Sequence, residues 1–130
     1  MTRPPLSDAA LELLGRPQPA VMATLKPDGQ PVTVATWYLL QGQQILVNLA
    51  DVRRRLDWLR QDGRVALTVL GDNWYTHVSI QGQVAAIADD PDLTDIDRIA
   101  SHYTGKPYAD RQGRRVSALI DVTDWHAWNL

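Results

Sequence analysis

Residues 20–50 read AVMATLKPDGQPVTVATWYLLQGQQILVNLA. Three runs rich in β-branched and apolar residues, 20–26, 31–40 and 44–50, are separated by two short segments of turn chemistry. In the first segment, Pro27-Asp28-Gly29, glycine supplies the positive φ that a tight hairpin needs. The second, Gln41-Gly42-Gln43, joins the next pair. Alternation in the middle run sets Val32, Val34, Thr36 and Tyr38 on one face and Thr33, Ala35 and Trp37 on the other. Such a meander points to a small antiparallel barrel rather than to a layered parallel sheet.

Working outward, residues 6–15 predict a short helix. Ser7 caps it, Leu6 and Leu11 occupy the two staple positions, and Gly15 ends it. The loop Arg16-Pro17-Gln18-Pro19 leads into the first strand. Beyond the meander, Asp51 is the expected N-cap of a helix whose Leu56 and Leu59 face the core, with Gly63 as its stop. Strand 65–70 follows. The turn Gly71-Asp72-Asn73 opens a long strand from Trp74 to about Ala88, in which Gly82 predicts a bulge or sharp bend. Asp90-Pro91 reads as an N-cap followed by proline at the first helical position. That helix runs to about Tyr103 with Leu93, Ile96, Ile99, Ala100 and Tyr103 as its apolar stripe. Gly105 ends it, and after the loop 105–114 a last strand runs from Arg115 to about Val122. The expected fold is mainly β: six antiparallel strands in a Greek-key barrel with about three helices, one domain spanning 1–130.

Composition narrows the function classes. With 130 residues, 45% hydrophobic and 22% charged, the chain is an ordinary globular one. A net charge of −2 gives no global attraction for nucleic acid, so its cations matter as local clusters. The absence of cysteine excludes disulfides, thiolate metal sites and cysteine nucleophiles. No apolar stretch has the length of a membrane span, and Met1-Thr2-Arg3-Pro4-Pro5 has no signal-peptide character, so the simplest placement is the cytoplasm. His77, His102 and His126 are scattered and form no metal-ligand pair. Ser79 lacks the glycine two positions before it that a nucleophile elbow requires. The carboxylates of Asp89, Asp90, Asp92 and Asp95 gather at a helix start, where the dipole favours them. Neither a P-loop nor a GxGxxG is present.

What remains is cationic and aromatic. Arg53, Arg54 and Arg55 fall at the start of a helix, the end where cations oppose the dipole by about 0.3–1 kcal/mol per exposed charge. Two readings stay open. Either Asp51 and Asp57 compensate a solvated face, or a bound phosphate uses the guanidinium forks and the free backbone N–H groups. Lys106, Arg111, Arg114 and Arg115 form a second basic stretch. Five tryptophans and no phenylalanine make an unusual aromatic balance. Size alone favours core or interface packing for each. Cations beside apolar walls also suit a flavin-like cofactor, which itself carries the hydride.

Several stretches together carry a resemblance that spans about residues 7–128. They are Ala23-Thr24-Leu25-Lys26-Pro27-Asp28-Gly29-Gln30-Pro31, the arginine-led helix in 51–64, Asp72-Asn73-Trp74, the Gln81-Gly82 bend, and Arg114-Arg115-Val116. In order and spacing the chain resembles the pyridoxamine 5'-phosphate oxidase-like FMN-binding split barrels, in particular their small deazaflavin (F420)-dependent reductases. The resemblance implies that Arg53 and Arg55 hold the cofactor phosphate, with Arg55 standing where relatives often have lysine. Asn48 matches the strand residue near the phosphate. Val32 to Trp37 match the strand beneath the ring system, but Val32 and Ala35 replace polar residues that relatives place there. Trp74 and Arg115 match positions lining the same groove, which in that family lies between two subunits of a homodimer. The implied activity is hydride transfer from reduced F420 to a conjugated small molecule, with no side-chain catalyst. The alternatives are an FMN flavoprotein and a non-catalytic flavin- or F420-binding protein; a nucleic-acid binder ranks last.

Overall fold

A computed structural model describes residues 1–130. It contains three helices, α1 (Asp8–Leu14), α2 (Arg54–Gln61) and α3 (Thr94–Thr104). The seven strands are β1 (Ala20–Leu25), β2 (Pro31–Thr36), β3 (Leu39–Gln41), β4 (Gln44–Ala50), β5 (Arg64–Leu70), β6 (His77–Asp89) and β7 (Arg115–Trp128). All pair antiparallel in one sheet, ordered β2-β1-β5-β6-β7-β4-β3.

The two edges of this sheet, β2 and β3, are separated in the chain only by Trp37 and Tyr38. Laid flat, seven strands would hold their edges about 29 Å apart at the usual strand spacing. The stretch from Thr36 to Leu39 reaches about 11 Å at most. Connectivity alone therefore curls the sheet into a barrel, and the edges meet without pairing. This is a split barrel.

That crossing explains why there are seven strands where the sequence suggested six. The run 31–40 is interrupted because Tyr38 turns into the core, 1% exposed, and its hydroxyl donates to Leu14 O at 2.8 Å. Around it pack Met22, Ile45, Leu67, Ile80 and Ile120, each 2% exposed or less, and Leu13 and Leu14 of α1. Each such side chain contributes about 1.5–3 kcal/mol through burial. Ser7 caps α1 as expected, its hydroxyl accepting Ala10 N–H. Gly29 takes φ +87° in the first hairpin. The bend at Gly82 is a register shift between β6 and β7, and a Cβ there would meet Asp121 O and Ile120 Cγ2 at 2.7 Å each.

Other boundaries move. Trp74 and Tyr75 lie in a turn before β6, because Asn73 Oδ1 accepts the N–H groups of Tyr75 and Thr76. β7 continues to Trp128, past the expected end, because β6 pairs with it along its whole length. The N-cap of α2 is Arg53 rather than Asp51, with no side-chain cap. α3 begins at Thr94, after Leu93 in the left-handed conformation at φ 60°. Asp90 nevertheless serves this helix from a distance: its carboxylate accepts Asp95 N–H at 3.1 Å and Ile96 N–H at 3.0 Å.

Candidate functional site

β3 and β4 pair with Leu39 opposite Leu46. Extending that register would set Trp37 opposite Asn48 and Ala35 opposite Ala50. Instead β2 leaves to pair with β1, Ala35 facing Val21. The barrel thus opens in a wedge whose closed end lies at Trp37 and whose far wall runs from β4 into the start of α2.

A cavity of about 640 Å³ occupies the closed end, a volume within the range of small-molecule sites. Ala35, Thr36 and Trp37 form its β2 side, and Asn48 and Arg115 its opposite side. Ile96, Ile99 and Tyr103 of α3 cover it, with Tyr108 from the following loop. Trp37 stacks on Tyr103 with centroids 5.2 Å apart at 14°, and meets Tyr108 edge-on at 6.4 Å. Such pairs fix ring orientation beyond simple burial. The Tyr103 hydroxyl donates to Gln18 O at 2.7 Å, and burial pushes its pKa up to about 12. It therefore stays protonated near neutral pH.

Beneath the aromatic walls lies a polar network. Asn48 Nδ2 donates to Asp90 Oδ2 and to Ser117 Oγ, both at 3.1 Å. Ser117 Oγ in turn donates to Asp95 Oδ2 at 2.7 Å. On its other side, Asn48 Oδ1 accepts Arg115 Nε–H at 2.9 Å, and Arg115 Nη2 lies 3.4 Å from Asn48 O. The Arg115 guanidinium sits over Tyr108, 4.9 Å from the ring centroid. Asp90 and Ser117 are both buried.

The arginines at the start of α2 follow β4 in the chain, just beyond Ala50. Arg53 and Arg54 are exposed and Arg55 is half-buried. None of the four ion pairs includes any of them, and Asp57 stands as the acidic residue of the first turn of α2. Arg55 Nη1 is buried without a hydrogen-bond partner, and burial, followed by the neighbouring Arg53 charge, lowers the Arg55 pKa. Arg111 is engaged elsewhere: its guanidinium grips Asp97 at 2.7 and 3.2 Å, and Arg111 holds the Asp97 carboxyl below the usual carboxylate range.

Of the residues singled out in the sequence, Ala35, Trp37, Asn48 and Arg115 come together in the cavity. Arg53 and Arg55 lie outside it, at the start of α2, and Val32 is half-buried on β2 outside it. Trp74 is 82% exposed in its turn and touches none of this. The sequence reading missed Tyr108 and Ser117, and it treated Ile96, Ile99, Tyr103 and Asp90 as helix packing and capping. Asp90 reads as an ordinary N-cap because the sequence sets the helix start at Pro91; the structure starts α3 at Thr94, which leaves Asp90 four residues ahead of it.

Residues 6–129 match the family model for pyridoxamine 5'-phosphate oxidase. The chain belongs to the pyridoxamine 5'-phosphate oxidase family. Among solved structures, this family member is similar to an F420 reductase, at 26% identity and a TM-score of 0.84, over 93% of this chain and 98% of that one. A conserved hypothetical protein of Mycobacterium tuberculosis matches at 26% identity and TM-score 0.74, over 98% and 89%. General stress protein 26 of Bacillus anthracis shares the fold alone, at 10% identity and TM-score 0.62, over 91% and 95%. No curated protein matches the chain. The family resemblance read in the sequence is thereby shown, and with it a fold shared with flavin- and deazaflavin-related oxidoreductases.

Proposed function

We propose that the chain is a homodimeric, F420-dependent reductase that passes a hydride from reduced deazaflavin to a conjugated small molecule. The observation that carries this reading is Arg55, whose buried Nη1 has no partner at the uncapped start of α2. A buried guanidinium nitrogen without an acceptor is costly, and a phosphate oxygen supplies the missing bond. Arg53 joins Arg55 there, with the first free N–H groups of the helix. Across the wedge, Trp37 offers an aromatic wall. Val32 and Ala35 offer no side-chain hydrogen bond, so backbone groups of β2 serve the ring edge. Asn48 and Arg115 stand at the closed end, and Trp74 lines the same groove once a second subunit covers it. The bound deazaflavin supplies the hydride; the protein positions it and excludes water. The F420 reductase among the structural neighbours supports the choice of cofactor. No helix is long and apolar enough to cross a membrane, and we place the cysteine-free chain in the cytoplasm.

The second reading is an FMN flavoprotein. It is favoured by Arg111, whose grip on Asp97 removes one cation from the set available to a polyanionic tail. Titration of the purified protein with each cofactor separates the two. F420 should bind more tightly at low salt, and its advantage should shrink as ionic strength rises, because attraction between exposed charges is screened over about 10 Å at 0.1 M. Equal affinity for FMN at low salt, or stoichiometric copurification of a yellow protein, replaces F420 with FMN.

A further inference from the structure

We infer that Arg115 reads the electronegative edge of the planar ring bound in the wedge cavity, and that Asp90 is the positioning residue that aims it, acting through Asn48. This rests on the reading that the cavity receives a deazaflavin or flavin ring.

The orientation of Arg115 is over-determined. An asparagine amide can present either end, but the Asn48 NH₂ is held by two acceptors, Asp90 Oδ2 and Ser117 Oγ. Ser117 cannot reverse its role, because its proton is committed to Asp95 Oδ2 at 2.7 Å. Asp90 is fixed by two N–H groups of α3. The amide oxygen of Asn48 must therefore face Arg115, where it takes Nε–H. With Nε held, Nη2 beside Asn48 O and the plane resting on Tyr108, the guanidinium has one edge left, Nη1, which bonds to no protein group.

No ion pair neutralises Arg115. Asp110 lies near enough for Arg115 to help lower its pKa, but its carboxylate accepts from Gln112 and Gly113 instead. A cation held in place among Trp37, Tyr103 and Ile99 without a carboxylate is a receptor for an oxygen that carries partial or full negative charge. Ring carbonyls and phenolates have that chemistry, and they lie in the plane of a ring that aromatic walls can sandwich. Asp90 touches no ligand. It selects which end of Asn48 meets Arg115.

The test uses 8-hydroxy-5-deazariboflavin, the chromophore without phosphate or tail, so that the clamp at α2 plays no part. Fluorescence anisotropy gives its dissociation constant, and thermal melts are run in parallel. Arg115→Gln should weaken the probe at least tenfold. Asp90→Asn should weaken it about as much. The double variant Asp90→Asn with Arg115→Gln should bind the probe no more weakly than Arg115→Gln alone, because Asp90 acts only through Arg115. If Asp90 were only a helix cap, its replacement would cost the same in either background. Should Asp90→Asn not fold, Asn48→Leu takes its place, again with a tenfold loss expected. Probe binding unchanged by Arg115→Gln or by Asp90→Asn, or losses that add in full in the double variant, overturns the inference. If the probe binds as expected but F420 does not bind, the cofactor proposal fails and this inference stands. If F420 binds and the variants are neutral toward the probe, only this inference fails. If neither molecule binds, both fail.

Discussion

Tyr38 donates its phenolic hydrogen to Leu14 O at 2.8 Å, which joins the crossing between the sheet edges to the C-terminal end of α1. The same hydroxyl lies 3.3 Å from Arg16 O, so one side chain serves two carbonyls at a helix end. Tyr38→Phe should destabilise the fold by about 1–3 kcal/mol, the cost of leaving buried acceptors unpaired. Urea unfolding followed by circular dichroism would measure it; a change below about 0.5 kcal/mol would show that water replaces the hydroxyl without loss.

Alkaline pH should act through the same residue. Burial raises the Tyr38 pKa well above its ordinary 10.0, and burial also raises that of Tyr103. A phenol with a raised folded-state pKa contributes stability that is complete below the unfolded value, near 10, and is lost as pH rises toward the folded value. Melting temperature should therefore fall from about pH 10 upward, and Tyr38→Phe should flatten that fall. Melts across that range decide it, and a slope identical in both proteins would rule Tyr38 out as the group responsible.

At the phosphate clamp, Arg55→Ala should weaken cofactor binding by about 1.5–3 kcal/mol with little change in melting temperature. Arg53→Ala should act in the same direction. Unchanged dissociation constants in both variants would remove α2 from the site.

Quaternary structure offers a separate check. Trp74, Tyr75 and Trp128 are 82%, 76% and 53% exposed, and Val21 and Trp37 more than a third. Large apolar side chains left open in this number mark an association surface. Sedimentation should give a dimer at micromolar concentration. A stable monomer that still binds F420 would refute the site shared between subunits.

Much of the fold was legible because its signals are local. Ser7 and Gly29 each act within a few residues of themselves, and the alternation of apolar positions marks the strands. The break at Tyr38 was not legible, since nothing in Thr36-Trp37-Tyr38-Leu39 distinguishes a crossing from a continuous strand. What breaks it is the demand of distant elements, β1 on one side and β4 on the other. Trp74 was misplaced for a related reason: aromatic residues favour strands, but Asn73 makes a turn with its own side chain. In the site, Asn48 and Arg115 were named individually through the family resemblance. Their contact joins residues 67 positions apart in the chain, and the link to Asp90 depends on three elements arriving together. No periodicity encodes that.

The two-residue passage between β2 and β3 also has a mechanical meaning. The barrel is built like a clothes-peg, with its spring at Trp37-Tyr38 clamped to α1 and its jaws formed by β2 and by β4 with the head of α2. The spring end cannot widen, since a covalent chain bridges it. The two walls can therefore diverge only toward the jaws.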